Sequence, residues 1–203
     1  MINILYTILI VFMISINSDI KQDIKVNQNA KASVSNSVQD KLDKRKKIFK
    51  FIKLVQPSFS VKKCDNLTNS IMKYAEKYNL DPLIICTTAY IESEFKSTSK
   101  PCIGIMQVLR STYYSQFKKT GYNPYNSDHN IAIGTLELKS HLDKYVKRGE
   151  MPDRTSYSRM WGRYNGAGKN SYYVRKALLV WKRLEKLNIE QIEILLKKSP
   201  LWK

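Results

Sequence analysis

Residues 81–95, DPLIICTTAYIESEF, are the most informative segment for predicting the fold. Asp81 followed by Pro82 is typical of a helix start, because aspartate accepts hydrogen bonds from free backbone N–H groups and proline is tolerated at the first helical position. Almost every later position is apolar or small, so the helix is expected to be buried in a core and to end near Phe95. Close to that end the sequence places an acid, Glu92.

Glu92 is unusual because this apolar stretch contains no Lys, Arg or His to neutralise it. Apolar surroundings and the negative end of the helix dipole both disfavour the charged form, so we expect the pKa of Glu92 to be raised. A carboxyl that keeps its proton near neutral pH can serve as a general acid. Glu94, about 200° further around the helix, is expected to face solvent. The alternative is that Glu92 only marks the helix's exit into solvent.

From about residue 65 onward the chain has helical periodicity, and no stretch alternates convincingly with a period of two. Apolar residues of the segment before Asp81 fall on one helical stripe, namely Leu67, Ile71, Tyr74 and Tyr78. Further helices are predicted at residues 111–119, 129–146, 155–164 and 172–187, with a last amphipathic helix at 189–198. The domain is therefore predicted to be mainly α.

The N-terminal segment, residues 1–17, is uncharged and mostly apolar. As a helix its apolar part would reach roughly 24 Å, which is short of the ~30 Å hydrocarbon core of a bilayer. A signal peptide and a short membrane anchor both remain open, with an ordinary buried strand or helix as the alternative. We expect export to the periplasm or cell envelope, with a tether to the inner membrane if the segment is retained.

Residues 18–47 are polar and charged, with few large apolar side chains, and are predicted to form a flexible linker. The folded domain is expected to span residues 48–203. Basic and apolar residues mix in residues 41–55. This segment could lie as an interfacial helix on anionic lipid, or form the first helix of the domain with a basic outer face, which we favour.

The composition indicates one globular domain with tails and a strong attraction to polyanions. The chain has 203 residues, and 35 Lys and Arg against 17 Asp and Glu give a net charge of +18. Nucleic acid, anionic membrane and acidic wall polymer would all attract this charge. The sequence has no recognisable helix-turn-helix or RNA-binding signature, so no specific nucleic-acid partner is expected.

The three cysteines, Cys64, Cys86 and Cys102, have no C-x-x-C spacing, and only two histidines accompany them. This is too sparse for a zinc site, and at most one internal disulfide is allowed. Cys86 lies within the apolar stretch and is expected to be a buried, inert thiol. The sequence also lacks a nucleotide-binding glycine loop and an H-E-x-x-H pair. We therefore predict no metal and no cofactor.

Polar residues beside glycines recur after the acid. In IGIMQV, residues 103–108, Gly104 allows close backbone approach, while Met106 and Gln107 offer an apolar and an amide contact. RYNGAG, residues 163–168, places a tyrosine hydroxyl and an amide beside a glycine-rich bend. Such a lining is suited to a hydroxyl-rich ligand such as a sugar.

Taken in order, these motifs resemble the lytic transglycosylase family of the soluble (SLT) type, relatives of goose-type lysozyme, over roughly residues 66–180. Glu92–Phe95 is similar to the family's E-S-x-F, and Gly104–Gln107 to its G-L-M-Q. The other matching blocks are Asp81-Pro82 before the catalytic helix, Pro124 with Asn130-Ile131 and Gly134, Tyr164–Gly168 for Y-N-A-G, and Tyr173-Val174.

The resemblance implies a lysozyme-like helical domain with a glycan cleft. It implies cleavage of the β-1,4 bond between N-acetylmuramic acid and N-acetylglucosamine in peptidoglycan strands. Glu92 would be the single acid and base, protonating the glycosidic oxygen and then taking a proton from the muramic acid 6-hydroxyl, which closes a 1,6-anhydro ring. By the same resemblance Tyr164 lies close to the acid, and the other residues that line the cleft are Ser93, Met106, Gln107 and Asn165.

Two other activities remain open. No second acid is obviously placed as a partner of Glu92, although ordinary retaining and inverting glycosidases need a pair. Asp128 or Asp153 as a distant second carboxylate would favour a hydrolytic lysozyme, that is, a muramidase. A non-catalytic peptidoglycan-binding module is the other alternative. The Tyr164–Gly168 block is closer to phage and secretion-system members, which makes such an assembly a candidate partner besides anionic wall polymer or a membrane surface.

Overall fold

The computed structural model describes residues 36–98, 102–147, 149–186, 188, 190–191 and 194. Within this part of the chain the backbone is helical apart from loops, turns and two isolated β-bridges. The prediction of a mainly α fold is confirmed for these residues. The predicted signal peptide or anchor, and the linker as far as residue 35, lie outside the described residues.

The helices are named in chain order as α1, residues 36–55; α2, Val61–Tyr78; α3, Pro82–Ser93; α4, Arg110–Thr112; α5, Ser127–Leu142; α6, Arg154–Tyr164; and α7, Tyr172–Lys186. The short α4 continues as a π-helical turn over Tyr113–Phe117 and a 3₁₀ turn over Lys118–Thr120. Of the predicted last helix, residues 190, 191 and 194 are described, and they are helical.

The chain divides into two compact units between residues 43 and 44. Of the first unit, residues 36–43 are described and are helical. The second unit begins within α1, where Ile48, Phe51 and Ile52 are each 0% exposed. Their burial removes the apolar side of this segment from any lipid surface, so the helix is the first of the domain, as favoured from the sequence.

The linker prediction needs correction for residues 36–47, because these residues are helical. Low apolar content was the reason for predicting a flexible chain. Exposed turns of a helix need no apolar side chains when tertiary contacts hold the same helix further along. Here Arg45 pairs with Asp65 and donates a 3.1 Å hydrogen bond to Asn69, both on α2.

The helix starts are set by side-chain caps. Asp81 accepts a 3.0 Å hydrogen bond from the Leu83 N–H at the start of α3, as predicted from Asp81 and Pro82. Ser60, Asn126 and Asp153 cap α2, α5 and α6 in the same way. These caps satisfy backbone donors that have no partner within the helix.

The core is built around α3, which packs against α2 and α7, while α5 packs against α2 and α6. All residues of α3 from Leu83 to Tyr90 are buried. The fully buried Trp161 of α6 donates a 2.9 Å hydrogen bond from its indole N–H to Thr88 of α3. The stripe predicted on α2 also packs inward, with three of its four residues buried and Tyr78 half-buried. Among the described residues, no helix combines the length and apolar character needed to cross a bilayer.

Candidate active site

The candidate site is built around a tight turn at residues 104–107. Asn130 of α5 holds this turn, because its side chain accepts a 2.8 Å hydrogen bond from the Met106 N–H and donates a 2.9 Å bond to the Ile103 carbonyl. Gly104 has a φ of 76°, and a Cβ there would lie 2.3 Å from the Asn130 side-chain nitrogen. Only glycine fits, since both the conformation and the contact exclude a side chain.

Two other helices attach to the same turn. The Ser93 hydroxyl at the end of α3 donates a 2.7 Å hydrogen bond to the Ile105 carbonyl. The Tyr164 hydroxyl at the end of α6 donates a 2.7 Å bond to the Met106 carbonyl. Three helices, α3, α5 and α6, therefore meet at this turn, and each contributes a polar side chain to it.

Glu92 lies in the last turn of α3 and is half-buried. Its Oε1 accepts a 2.5 Å hydrogen bond from the Tyr173 hydroxyl of α7. No Lys, Arg or His of the described residues forms an ion pair with it. Burial raises the pKa of Glu92 to about 7, against the opposing effect of the Tyr173 hydrogen bond. The predicted direction of the shift is confirmed, and burial is its cause.

A second carboxyl, Glu137 of α5, is buried with 9% of its surface exposed. Burial raises its pKa to about 7, and the charge of Glu92 adds to the shift. The nearest basic group described is His141, whose Nε2 lies 3.9 Å from Glu137 Oε1, beyond hydrogen-bond distance. Burial and the charges of Lys144 and Arg163 lower the pKa of His141, so this imidazole is neutral near pH 7 and does not compensate the carboxyl.

Both carboxyls act on the same neighbouring side chains. Burial raises the pKa of Tyr164 well above its usual value, and the charges of Glu137 and Glu92 raise it further. The same two charges, after burial, raise the pKa of the half-buried Cys102. Burial and then the charge of Glu92 raise the pKa of Tyr173. The charge of Glu92 thus acts on two tyrosine hydroxyls and a thiol, and the basic group described beside the second carboxyl, Glu137, is His141.

This arrangement can donate and accept a proton at neutral pH. A carboxyl with a pKa of about 7 is half protonated there, so it can serve as an acid in one step and as a base in the next. The tyrosines keep their protons, because their pKa values are raised, and they remain hydrogen-bond donors.

The family model of the transglycosylase SLT domain matches residues 69–177, and this range contains Glu92, the turn and α5. The chain belongs to the transglycosylase SLT family. Membership supports a transglycosylase-type function that acts on peptidoglycan. Comparisons with curated proteins and with solved structures gave no match.

The SLT domain places the predicted cleft residues in different environments. The charge of Glu92 adds to the raised pKa of Tyr164, but the hydroxyl bonded to Glu92 belongs to Tyr173. Met106 requires a correction, because it is 0% exposed and its side chain packs against Gly134, where a Cβ would approach to 2.6 Å. It is part of the core and supports the turn.

The other residues predicted to line the cleft have side chains that are exposed or half-buried. The Ser93 hydroxyl bonds the turn, which leaves only its acceptor capacity for a ligand. The half-buried Gln107 donates from its side-chain amide to the Gly104 carbonyl, at 2.6 Å, and to Thr98. Asn165 is exposed at the end of α6.

The two acids considered as partners of Glu92 serve the scaffold. Asp128, at the start of α5, accepts hydrogen bonds from Ser70 at 2.6 Å and Tyr74 at 2.8 Å. Asp153 caps α6 through a 2.7 Å bond from the Ser156 N–H. The other carboxyl on which the charge of Glu92 acts is Glu137.

Sequence reasoning did not identify Glu137, and it noted Tyr173 only within a matching block. A signal for Glu137 exists in the spacing of Asn130, Gly134, Glu137 and His141, which places all four on one stripe of α5. Glu137 therefore shares a helix face with the turn-binding Asn130. No comparable spacing links Tyr173 to Glu92, because they are 81 residues apart.

The cysteines and cavities add no further group to this site. All three cysteines are free thiols, and Cys86 is buried as predicted. Among the described residues, no group of three or more His, Cys, Asp or Glu side chains could hold a metal ion. Surface cavities of about 810, 570 and 460 Å³ lie elsewhere, and Glu92 lines none of them. The site is defined by its side-chain chemistry rather than by cavity size.

Proposed function

We propose that this protein is a peptidoglycan lytic transglycosylase that cleaves the bond between N-acetylmuramic acid and N-acetylglucosamine, with Glu92 as acid and base. The observation that carries the proposal is a half-buried carboxyl with one hydroxyl partner and no described cation partner, beside the Gly104–Gln107 turn of an SLT domain. A carboxyl in this setting holds a proton near neutral pH and can release it.

In the first half of the reaction, protonated Glu92 gives its proton to the glycosidic oxygen, and the bond from this oxygen to the muramic acid C1 breaks. In the second half, the Glu92 carboxylate takes the proton of the 6-hydroxyl on the same muramic acid. The 6-oxygen then bonds to C1 and closes the 1,6-anhydro ring. The proton returns to Glu92 and no water is consumed, so one acid is sufficient.

Tyr173 is suited to orient the acid in this scheme. Its hydroxyl occupies Oε1 of Glu92 at 2.5 Å, which leaves Oε2 for the proton that is transferred. The raised pKa of Tyr173, due mainly to burial, keeps the hydroxyl protonated in both halves of the reaction. The Tyr164 hydroxyl, bonded to the Met106 carbonyl, holds the turn beside the acid.

A hydrolytic muramidase is the second candidate, and Glu137 is the observation that favours it. Hydrolysis needs a carboxylate that activates water in addition to an acid. Glu137 is a buried carboxyl whose pKa is raised by the charge of Glu92, after burial, and so it lies close enough to interact with the acid. The products distinguish the two reactions, because hydrolysis leaves a reducing end and transglycosylation leaves a 1,6-anhydro end.

The test is digestion of purified murein by the full-length chain, with mass spectrometry of the released muropeptides. We expect 1,6-anhydromuropeptides, and we expect Glu92→Gln to lower the rate by roughly 10²- to 10⁴-fold. Glu94→Gln is the matched control, since this acid is two residues away, 49% exposed and paired with Lys96. Reducing-end products would establish the muramidase. Binding without cleavage by the folded wild type would establish the binding module.

We further propose that the protein acts in the periplasm or cell envelope, where its substrate lies, and that its charge of +18 attracts it to anionic wall polymer or membrane. Arg159 and Arg163 support such a contact, since both guanidinium groups lie over the Tyr145 ring beside Lys169 in one surface cavity. Binding to sacculi should weaken as salt rises. A secretion-system or phage assembly as partner stays a prediction.

A further inference from the structure

One surface cavity of the molecule, which we call the basic cavity, is lined by cations and by no acid. Its volume is about 460 Å³, and Arg159, Arg163 and Lys169 line it together with Tyr145 and three glycines. The cavities of about 810 and 570 Å³ differ, because each contains at least one acid beside its lysines. The positive charge of the basic cavity is therefore not balanced by its own lining.

Tyr145 holds both guanidinium groups of the basic cavity in place. Arg159 and Arg163 are four residues apart on α6, so they share one side of the helix. Arg163 Nε donates a 2.5 Å hydrogen bond to the Tyr145 hydroxyl, and the guanidinium carbons of Arg159 and Arg163 lie 5.4 and 5.9 Å from the ring centre. The ring attracts both cations and offsets part of their mutual repulsion. In the described part of the chain, these contacts leave the terminal guanidinium nitrogens as donors for a ligand.

The other wall of the basic cavity is a loop that packs directly on α6. Gly162 is buried, and a Cβ at this position would lie 2.6 Å from the backbone of Gly168 and Lys169. The Gly168 N–H also donates a 3.2 Å hydrogen bond to the Gly162 carbonyl. This close approach places Lys169 in the same cavity as the arginines, and Gly166 and Gly168 have no side chains that would fill it.

None of the three basic side chains forms an ion pair with an acid of the described residues. The ion pairs that are described involve other cations, such as Lys73 with Asp128 and Lys139 with Asp143. Like charges gathered around one space repel each other, and a bound anion would remove this repulsion. The basic cavity therefore suits an anionic ligand.

The SLT family acts on peptidoglycan, and this polymer carries its negative charges on its peptides. Its sugars are N-acetylated and uncharged, and the lactyl carboxyl of muramic acid is joined to the peptide as an amide. The anions that remain are the free carboxylates of the peptide stems. A guanidinium group binds a carboxylate through two parallel hydrogen bonds, so paired arginines are suited to this partner.

The basic cavity and the candidate active site share one segment of the chain. Tyr164 follows Arg163 directly, and the Tyr164 hydroxyl bonds the Met106 carbonyl of the site turn. The end of α6 thus supports the turn with one residue and lines the basic cavity with the residue before it. A glycan strand bound at the turn would carry peptides on its muramic acids, so stems would lie along the protein surface around the site.

A membrane surface fits the basic cavity less well. Proteins that lie on anionic lipid combine basic side chains with exposed apolar side chains that enter the bilayer. The large apolar residues that are exposed in the described part of the chain do not line this cavity. A small dissolved carboxylate group needs no such apolar contact.

We propose that the basic cavity binds a free carboxylate of the peptide stems of peptidoglycan, with Arg159, Arg163 and Lys169 as the donors. The inference rests on the proposed function, because peptidoglycan is the substrate named there. It adds a binding site for the peptide, which the proposed reaction at the glycosidic bond does not use. Strands with charged stems should therefore bind more tightly than strands whose stems are neutral.

The test measures the Kd of soluble, peptide-bearing glycan strands for the full-length chain, in a Glu92→Gln background that slows cleavage. The same strands are measured again after their carboxylates have been converted into amides, which removes the charge and keeps the peptide. Arg159→Gln combined with Lys169→Gln should raise the Kd for native strands about tenfold. The Kd for amidated strands should change by less than about twofold, because their stems offer no anion.

This pair of substitutions leaves Arg163 and its bond to Tyr145 intact, so the fold is preserved. The matched control is Lys62→Gln with Lys119→Gln, which removes the same charge from two exposed lysines elsewhere. The control should change the Kd for native strands by less than about twofold.

Three results would overturn the proposal. The first is that Arg159→Gln with Lys169→Gln changes the Kd for native and amidated strands equally, or changes neither. The second is that this variant loses affinity for poly(glycerol phosphate) and keeps its affinity for native strands, which would make the cavity a phosphate site. The third is the same pattern with vesicles that contain phosphatidylglycerol, which would make it a membrane contact.

The peptide site and the lytic function fail separately, because binding in the Glu92→Gln background requires no cleavage. If wild type leaves murein intact while the cavity variant loses affinity for native strands alone, the peptide site stands and the lytic function is refuted. If wild type releases 1,6-anhydromuropeptides while the cavity variant binds native strands as its control does, the peptide site is refuted and the lytic function stands.

Discussion

Asp128 and Glu137 are acids on the same helix, nine residues apart, in opposite states. Asp128 accepts hydrogen bonds from Ser70, Tyr74 and Lys73, at 2.6, 2.8 and 3.1 Å. Although burial alone would raise the pKa of Asp128, these donors lower it below its usual value. Glu137 has no described donor, and burial followed by the charge of Glu92 raises its pKa to about 7.

The difference shows that the hydrogen-bond donors around an acid, rather than the helix that carries it, set its pKa and therefore its charge at neutral pH. Asp128 lies in the first turn of α5, where the helix dipole also favours an anion, and its bonds join α5 to α2. Asp128 therefore stabilises the packing of α5 against α2. Glu137 lies further along the same helix, where no described group donates a hydrogen bond to it and the neighbouring basic group, His141, has a lowered pKa. It destabilises the folded state when ionised, which is the usual condition of a group kept for chemistry.

Glu137→Gln should give the largest change in stability. Folded Glu137 has a pKa of about 7 and the unfolded chain about 4.5, so the native state loses stability as pH rises from the lower value through the higher. The amide does not titrate. We expect the variant to exceed wild type in free energy of unfolding by about 2 to 3 kcal/mol at pH 8. Urea unfolding at pH 4 and 8 measures this, and an equal difference at both would contradict it.

Asp128→Asn should change stability in the opposite direction. The pKa of Asp128 is lowered in the folded state, so its contribution is present above the unfolded value of 3.8 and is lost as pH falls through the folded one. We expect a loss of about 1 to 2 kcal/mol at pH 7, after allowing for solvent screening of a side chain that is 37% exposed. The same unfolding series serves as the measurement. If the variant is as stable as wild type at pH 7, the Asp128 carboxylate does not stabilise the fold, and its expected difference from Glu137 is refuted.

Tyr173→Phe should leave Glu92, like Glu137, without a hydrogen-bond donor among the described residues, because the Tyr173 hydroxyl is the only described donor to the Glu92 carboxyl. The Tyr173 hydrogen bond lowers the pKa of Glu92, so its loss should raise that pKa. The alkaline limb of kcat/KM should move up by about half a pH unit. A downward shift would show that Tyr173 does not act through this bond. Tyr172→Phe, at an exposed neighbour, is the matched control.

Lys73→Met should have the smallest effect. Lys73 is 59% exposed in its ion pair with Asp128, and exposed pairs contribute little. We expect the free energy of unfolding to fall by less than about 0.5 kcal/mol at moderate salt. A loss as large as that of Asp128→Asn would mean that the cation, rather than the Ser70 and Tyr74 hydroxyls, holds Asp128.

Much of the fold could be predicted because its signals are local. The cap at Asp81, the proline after it and the apolar run that follows lie within one segment, and α3 begins where they predicted. Glu92 was identified for the same reason, as an acid within an apolar helix. The helical state of residues 36–47 could not be predicted in this way, because tertiary contacts such as that of Arg45 with α2 support this helix.

The site was predicted only where a motif marks it. Met106 is in the motif, but its burial against Gly134 depends on how closely α5 approaches, which no motif encodes. Tyr173 bonds the acid from a helix distant in sequence, and Glu137, on another distant helix, is affected by the acid's charge. Their roles depend on three-dimensional distances, since charge interactions and hydrogen bonds act over a few ångströms of space.

A helical SLT-type domain with an acid at the end of an apolar helix could be predicted from the amino-acid sequence, because periodicity, capping and composition are properties of neighbouring residues. Tertiary contacts alone established that this acid accepts a hydrogen bond from Tyr173, and that Asp128 is held by three donors while Glu137 has none described. The physical reason is that burial and electrostatic environment belong to the packed molecule, where helices far apart in the chain set the charge state of each acid.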